Sequence, residues 1–186
     1  MTLQHKVNEC IINKIPVRLH LGCGPNIMQD WINVEGDLYK GQDNTFIHNI
    51  TEQYPIADNT VDEILSVHVI EHIAPDLVIP MMREWLRILK PEKFVAVEWP
   101  DLLKMCQYIV DDPSRIYSDN RKIQKRSVAG IFGNIGKHKN IEMLHKWGYS
   151  AESMCKLFLE TGFRKTQIES PIFPKTEMDS RVIAYK

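Results

Sequence analysis

Apolar residues along the chain fall into short runs that predict β-strands. Val17, Leu19 and Leu21 alternate with polar positions and lead into a pair of glycines, which is typical of a strand that ends in a turn. Other short runs are rich in β-branched and aromatic residues. They predict strands at 31–37, 46–50, 61–69, 93–99, 166–173 and 181–186.

A second periodicity predicts helices between these strands. Apolar residues at 3, 7, 11 and 15 form one helical stripe, and those at 81, 85, 88 and 89 form another in a segment that starts near Leu77. Pro80 then lies in the first turn of the second helix or kinks it. Ser150 is a good N-cap for a last helix, which Gly162 would end. Strands that alternate with helices predict one α/β domain over residues 1–186, with a largely parallel sheet.

Composition is that of a soluble globular protein. Hydrophobic residues make up 44% and charged residues 25% of the 186 positions, and the net charge of -1 makes nucleic acid an unfavoured partner. The four cysteines are far apart and form no C-x-x-C pair, so we expect reduced thiols and a cytoplasmic location. Since no apolar run approaches 18 residues, neither a signal peptide nor a membrane span is expected.

The motif LGCGPN follows the first predicted strand. Gly22 and Gly24 stand where α/β proteins bring their backbone close to a ligand. A dinucleotide fingerprint would need a third glycine where Ile27 stands and an acidic residue about twenty positions on, whereas Glu35 comes thirteen positions after Gly22. This spacing leaves room for only a very short helix. It favours a ligand without phosphates, such as S-adenosylmethionine (SAM), over NAD.

Further motifs follow in order along the chain, and together they resemble one family. They are LHLGCGPN, WINVEGD, IEHI, EWLRILKP, VAVEWPDL and HKWGYSAESMCKLFLETGF. This order is similar to that of the small class I SAM-dependent methyltransferases of the type 11 group, from about residue 16 to the end. The resemblance implies a Rossmann-like fold whose seven-stranded, mostly parallel sheet has an antiparallel strand near the C-terminus and helices on both faces. It also implies SAM as cofactor and S-adenosylhomocysteine (SAH) as product.

The same resemblance implies which residues hold the cofactor. The glycine turn would wrap the methionine part, Glu35 would hold the ribose, and Asn49 would read adenine. Asn49 departs from the aspartate that is usual there, so the charge-assisted part of that bond is lost. A glycine pair that usually follows the lysine-proline turn is replaced by Glu92 and Lys93. The full predicted set of cofactor contacts is Leu21, Gly22, Cys23, Gly24, Glu35, Asn49, Ile50 and His68.

Residues 68–72 read HVIEH, which matches a zinc-peptidase signature. A peptidase would need His68 and His72 on one uninterrupted helix and a third ligand, for which Glu142 or Glu152 could serve. Pro75 follows too closely for a long helix, so we expect a turn at the carboxyl end of the fourth strand and no metal. In that turn His68 would face the cofactor, while Glu71 and His72 would brace the short helix.

The acceptor side is predicted from candidate bases and from a basic segment. His68 is the leading general base for a hydroxyl acceptor because its ordinary pKa is about 6.5, and Asp101 is the second, although it could instead cap a helix. Residues 101–148 would form an acceptor-binding insertion or lid, irregular and basic from Arg115 to Trp147. Its eight cations suggest an anionic acceptor: Arg115, Arg121, Lys122, Lys125, Arg126, Lys137, Lys139 and Lys146.

Trp99, His145 and Trp147 complete the prediction as substrate-binding residues. The predicted function is methyl transfer to a small-molecule or glycan-type acceptor, with oxygen as the expected acceptor atom. A SAM-binding adaptor subunit without catalysis is the alternative, with a zinc peptidase third. A homodimer is also considered.

Overall fold

A seven-stranded mixed sheet forms the centre of the protein. The structure, a computed structural model, describes residues 1–36, 45–117, 120–133, 141–173 and 177–186. The strands are β1 (Arg18–Leu21), β2 (Ile32–Glu35), β3 (Thr45–Ile47), β4 (Val61–Val67), β5 (Leu89–Pro100), β6 (Lys165–Glu169) and β7 (Asp179–Tyr185). Their order is β3-β2-β1-β4-β5-β7-β6.

The pairing confirms the predicted sheet. Strands β1 to β5 are parallel, whereas β7 pairs antiparallel with both β5 and β6. Because β1 lies between β2 and β4, the strand order reverses beside it, and ligands of α/β sheets bind at the carboxyl ends of strands near such a reversal. The glycine motif that follows β1 therefore lies at the expected position for a ligand.

Six described helices accompany the sheet. They are α1 (Leu3–Ile12), α2 (Pro75–Ile88), α3 (Leu102–Asp111), α4 (Arg121–Arg126), α5 (Val128–Phe132) and α6 (Ala151–Thr161). The predicted cap of α6 is confirmed, because the Ser150 side chain accepts from Ser153 N and Gly162 ends the helix with a left-handed φ of 114°. Single turns of 3-10 helix lie at Ile70–His72, Pro113–Ile116 and Ile141–Met143.

Two local expectations need correction, and one of the two alternatives for Pro80 is excluded. Helix α2 begins at Pro75, so Pro80 lies inside the helix, where it has no N–H to donate to the carbonyl four residues earlier. Residues 22–31, all described, form turns and no helix. The segment expected to be irregular contains α4 and α5, which are too short for an apolar stripe to reveal them.

The main core lies on one face of the sheet, under α1, α2 and α6. Strand residues such as Leu19, Ile64 and Val95 pack there with Trp85 and Phe158 of the helices. The opposite face carries a smaller buried cluster of Leu65, Ala96 and Ile183, against which Met28 and Trp31 of the β1–β2 connection pack. The helix cover is therefore uneven, and the larger apolar burial, which drives folding, is on the α2 side.

Candidate active site

The turn after β1 has the backbone shape that a ligand cradle needs. Gly22 and Gly24 both have left-handed φ angles, of 68° and 50°, which glycine adopts without strain. A Cβ on Gly22 would lie 2.4 Å from Cγ2 of Val69, so the turn packs directly against the HVIEH segment. The two motifs that the sequence singled out therefore form one site.

Glu35 holds this turn from the end of β2. One carboxylate oxygen accepts from Gly24 N at 2.6 Å, and the other accepts from Gly36 N at 2.9 Å. Each oxygen has a second lone pair, and the side chain is only half-buried, so hydroxyl donors can still reach it. The predicted ribose contact fits this geometry and stays a prediction.

The other predicted cofactor residues differ in what they can offer. The side chains of Leu21 and Cys23 are buried, so only their backbone atoms can face a ligand. Burial and the nearby Glu35 charge raise the pKa of the Cys23 thiol to about 11, which makes it inert at neutral pH. Ile50 belongs to the main core. Asn49 is exposed, and its Oδ1 accepts from both the amide and the hydroxyl of Thr51.

His68 follows β4 in a strained conformation. Its φ of 54° is left-handed, which is uncommon for a residue with a side chain and occurs often at functional sites. Its Nδ1 lies 3.4 Å from Oε1 of Glu71, and its Nε2 lies 3.7 Å from Oδ2 of Asp179. Burial alone would lower the pKa of His68, but the Asp179 and Glu71 carboxylates overcome this and raise it to about 10.

This pKa argues against the predicted role of His68 as a general base. A histidine that is protonated at neutral pH has no lone pair with which to accept a proton. Burial alone would raise the pKa of Glu71, but the neighbouring His68 holds it below its usual value. The two side chains therefore form an ion pair, and His68 is placed to donate rather than to accept.

Asp101 is a structural hub. It is 3% exposed and caps α3 by accepting from Leu103 N and Lys104 N at 2.9 and 3.2 Å. Its second carboxylate oxygen accepts from Ala151 N at 3.2 Å and from the Ser180 hydroxyl at 2.7 Å. This geometry favours the capping alternative for Asp101 over the catalytic one.

The predicted substrate residues fall into two groups. Trp99 is fully buried, and its Nε1 donates to the Tyr149 carbonyl at 3.0 Å, so its ring has no surface for a substrate. His145 is half-buried, and Trp147 is 56% exposed. Their segment is bound to the HVIEH turn, since the amides of Lys146 and Trp147 donate to the Glu71 carbonyl at 2.7 and 3.3 Å. Only this second group borders the site.

The side chains of the HVIEH turn do not brace it as predicted. Neither carboxylate oxygen of Glu71 has a hydrogen-bond partner among the described residues. The Nδ1 of His72 lies 3.0 Å from the Leu144 carbonyl, which binds the turn to a distant segment rather than to its own helix. One turn of 3-10 helix, Ile70–His72, begins after His68, so the uninterrupted helix that a peptidase requires is not formed.

Two partners in this site have no local signature in the sequence. Asp179 reaches His68 because β7 pairs with β5, next to β4. His145 reaches His72 with ring centroids 4.9 Å apart, although the two lie 73 positions apart in sequence. Of the basic segment, Lys137, Lys139 and the side chain of Glu142 lie outside the described residues.

Comparison with known proteins supports a methyltransferase. Residues 19–97, which include most of β1, all of β4 and the HVIEH turn, match the family model described as a methyltransferase domain. The match spans 79 of the 186 residues and indicates a SAM-dependent methyltransferase. Proteins of this kind use SAM as their cofactor. A search of curated protein sequences found no match to this chain.

Solved structures share the fold at low sequence identity. A SAM-dependent methyltransferase from Archaeoglobus fulgidus superposes with a TM-score of 0.60 at 14% identity, covering 98% of this chain and 94% of its own. One from Methanosarcina mazei gives 0.61 at 11% identity, with 95% and 96% coverage. A third, from Thermotoga maritima and described as a possible histamine N-methyltransferase, gives 0.56 at 13% identity, with 99% and 96% coverage. At such identities the likeness establishes the fold alone.

Proposed function

We propose that this protein is a class I SAM-dependent methyltransferase that moves the methyl group of SAM to an oxygen atom of a small-molecule or glycan-type acceptor. The observation that carries the proposal is the joined site at the carboxyl ends of β1, β2 and β4. There the left-handed glycine turn, the Glu35 carboxylate and the HVIEH turn meet within contact distance.

The cofactor would lie along the β1–β2 edge. Backbone atoms of residues 21–24 would surround its methionine part. Gly22 offers only its backbone there, since a side chain at this position would collide with Val69. Glu35 would accept from the ribose hydroxyls, and Asn49 would meet the adenine near Ile50. His68, at the end of β4, would border the reacting centre.

Methyl transfer itself needs alignment more than acid–base chemistry. A lone pair of the acceptor oxygen attacks the methyl carbon, the carbon–sulfur bond breaks, and its electrons stay on sulfur as SAH leaves. The acceptor hydroxyl loses its proton. With His68 protonated, this side chain would donate to the acceptor and orient it, while the hydroxyl proton passes to solvent water.

The acceptor side would be the segment between β5 and α6. The cations of α4 are exposed, and Arg126 lies 3.9 Å from Glu177 across the surface. Such a surface attracts anions from solution, which supports an anionic acceptor over a neutral one. His145 and Trp147 border the site and would contact the acceptor directly.

The surroundings of the reaction are part of the proposal. All four cysteines are free, which supports a reducing, cytoplasmic location. Among the described residues, no helix has the length and apolar character that crossing a membrane requires. The considered homodimer stays a prediction.

A binding experiment tests the cofactor site. Isothermal titration with SAH should give one site per chain, and Glu35→Ala should weaken it by about 1.5 to 3 kcal/mol, the usual worth of a hydrogen bond to a charged group. Glu9→Ala, an exposed glutamate of α1, is the matched control and should bind normally. Equal affinity for the Glu35 variant and the wild type would remove Glu35 from the site.

Turnover tests the reaction. Labelled methyl groups from SAM should appear on an acceptor from pools of phosphorylated sugars and other hydroxyl metabolites. A chain that binds SAH and transfers no methyl group would be the adaptor rather than the enzyme. Label found on nitrogen would contradict the oxygen acceptor.

A further inference from the structure

Three side chains with metal-binding chemistry converge beside the glycine turn. The carboxylate of Glu71 and the rings of His72 and His145 place their ligand atoms within 4.8 Å of one another. Oε1 of Glu71 and Nε2 of His72 are 3.8 Å apart, and the two imidazole rings meet edge to face. The last of these residues comes from the segment bound to the turn, so the cluster joins both sides of the site.

The buried carboxylate of Glu71 is paired with His68 only at a long distance. It is 2% exposed, and neither of its oxygens makes a hydrogen bond within the part of the chain that the structure describes. Its nearest cationic neighbour, Nδ1 of His68, is 3.4 Å away, whereas a charge-assisted hydrogen bond measures about 2.7–2.9 Å. A buried carboxylate is costly unless a cation or donor comes close, so this position favours a further cation.

His72 is oriented as metal-binding histidines are. Its Nδ1 lies 3.0 Å from the Leu144 carbonyl, an acceptor, so this nitrogen carries the proton and donates. Nε2 then keeps its lone pair on the side of Glu71. A donated hydrogen bond from the other ring nitrogen to a carbonyl is the usual means of fixing a ligand histidine.

His145 is held in place by its backbone and by Gly133. Its amide donates to the Phe132 carbonyl at 3.1 Å. A Cβ on Gly133 would lie 3.0 Å from that amide nitrogen and 3.1 Å from Cδ2 of the ring, so the glycine makes room for the histidine. The ring therefore has a defined position beside His72 rather than a mobile one in solvent.

We propose that Glu71, His72 and His145 bind one divalent first-row transition-metal ion of the Zn²⁺ or Mn²⁺ class. Two imidazole nitrogens and one carboxylate oxygen suit these ions. Around an ion with bonds of about 2.0–2.2 Å, neighbouring tetrahedral ligand atoms lie about 3.3–3.6 Å apart. Small side-chain rotations would bring the three ligand atoms to that spacing. Three protein ligands leave coordination positions open.

The open positions would take oxygen atoms of the acceptor, an inference that rests on the proposed function. An acceptor hydroxyl bound to the ion has a lowered pKa, so its proton passes to water and its oxygen becomes the nucleophile. That oxygen attacks the methyl carbon of SAM, and the electrons of the broken bond stay on sulfur. The preferred acceptors would carry two neighbouring oxygens.

Metal titration of the stripped protein tests the site without turnover. Protein freed of metal with a chelator should bind one Zn²⁺ per chain by calorimetry, and Co²⁺ should give a visible spectrum typical of nitrogen and oxygen ligands. His72→Ala and His145→Ala should each weaken Zn²⁺ binding at least tenfold. His5→Ala, an exposed histidine of α1, should leave it unchanged. Unchanged Zn²⁺ affinity in both ligand variants would overturn the proposal.

Parallel SAH titrations separate this inference from the proposed function. The ligand variants should bind SAH within about twofold of wild type, which also shows that they fold. Glu71→Gln, of similar size, provides a third variant should one histidine variant fail to fold, and it should also lose Zn²⁺. Zn²⁺ binding without SAH binding would contradict the proposed function and leave the metal site supported. SAH binding with no Zn²⁺ binding would contradict the metal site and leave the proposed function supported.

Discussion

At the residue scale, the site depends on backbone angles that most side chains avoid. Gly22 and Gly24 adopt left-handed φ, and His68 does so at a cost. Gly22 also has no room for a side chain, since Val69 is β-branched and stiff at χ1 and cannot easily rotate away. These positions explain why the LGCGPN turn and the HVIEH turn can pack against each other.

Replacing Gly22 by alanine should damage both fold and binding. A left-handed alanine costs about 1–2 kcal/mol, and the new Cβ would meet Cγ2 of Val69 at 2.4 Å, so we expect destabilisation of about 2–3 kcal/mol. SAH affinity should fall at least tenfold because the turn must move. Urea denaturation and calorimetry measure the two effects.

Gly36 provides the control for that substitution. A Cβ there would meet nothing within 4 Å, and its φ is not left-handed, so Gly36→Ala should be nearly neutral. Equal stability of the two variants would mean that the Gly22 turn tolerates a side chain, and the tight contact with Val69 would then be refuted.

At the element scale, Asp101 joins α3, α6 and β7. Its oxygens accept from amides in the first turns of α3 and α6 and from the Ser180 hydroxyl of β7. Buried donors that lose such a partner stay unpaired, which costs more than the loss of an exposed cap. The carboxyl edge of the sheet is therefore held together by one side chain.

Asp101→Ala should destabilise the protein by about 3 kcal/mol, from the lost cap and the unpaired buried donors. Asp112→Ala is the matched control, because the Asp112 side chain also caps a helical turn but is more exposed and accepts its hydrogen bonds from Ser114. Its loss should cost about 1 kcal/mol or less. Thermal and urea unfolding give both values, and similar losses would contradict the hub role of Asp101.

Elements were predictable where the signal is local. The strand after Pro16, the capping residue Ser150 and the terminating Gly162 all act on their own neighbours, and each was predicted correctly. Helices α4 and α5 were missed because six and five residues are too few for a periodic stripe. For Pro80 only the first-turn alternative is excluded, because helix α2 starts earlier than its apolar residues indicate.

The composition of the site was less predictable than its position. The HVIEH turn follows a strand, so its place at the carboxyl edge could be inferred from order alone. Its partners Asp179 and His145 come from segments that only tertiary folding brings near, and their charges change what His68 can do. The ordinary pKa of histidine therefore suggested a general base. In the folded protein Asp179 and Glu71 raise the pKa of His68, which favours its protonated form.

At the scale of the whole molecule, the two ends of the sheet serve different purposes. The glycine turn, Glu35 and the HVIEH turn lie at the carboxyl ends of the parallel strands. Near the opposite ends, Asp62 accepts from Val17 N at 2.9 Å and from Lys90 Nζ at 2.7 Å, which joins the segment before β1 to β4 and β5. Changes at Asp62 should affect stability without affecting SAH binding.

The acid stability of the protein should depend on Asp62. Burial alone would raise the pKa of its carboxyl, but Lys90 and the Val17 amide overcome this and lower it. A carboxyl whose pKa is lower in the folded protein stabilises it above the unfolded pKa, and this contribution is lost as pH falls through the folded value. The unfolding free energy of wild type should therefore exceed that of Asp62→Asn near pH 7, with a difference that shrinks below about pH 4. Urea denaturation from neutral to acid pH measures this difference.

Glu9→Gln, which removes an exposed ion pair with Lys6, should show little difference at any pH. A pH-independent gap for the Asp62 variant would show that packing rather than charge sets its contribution.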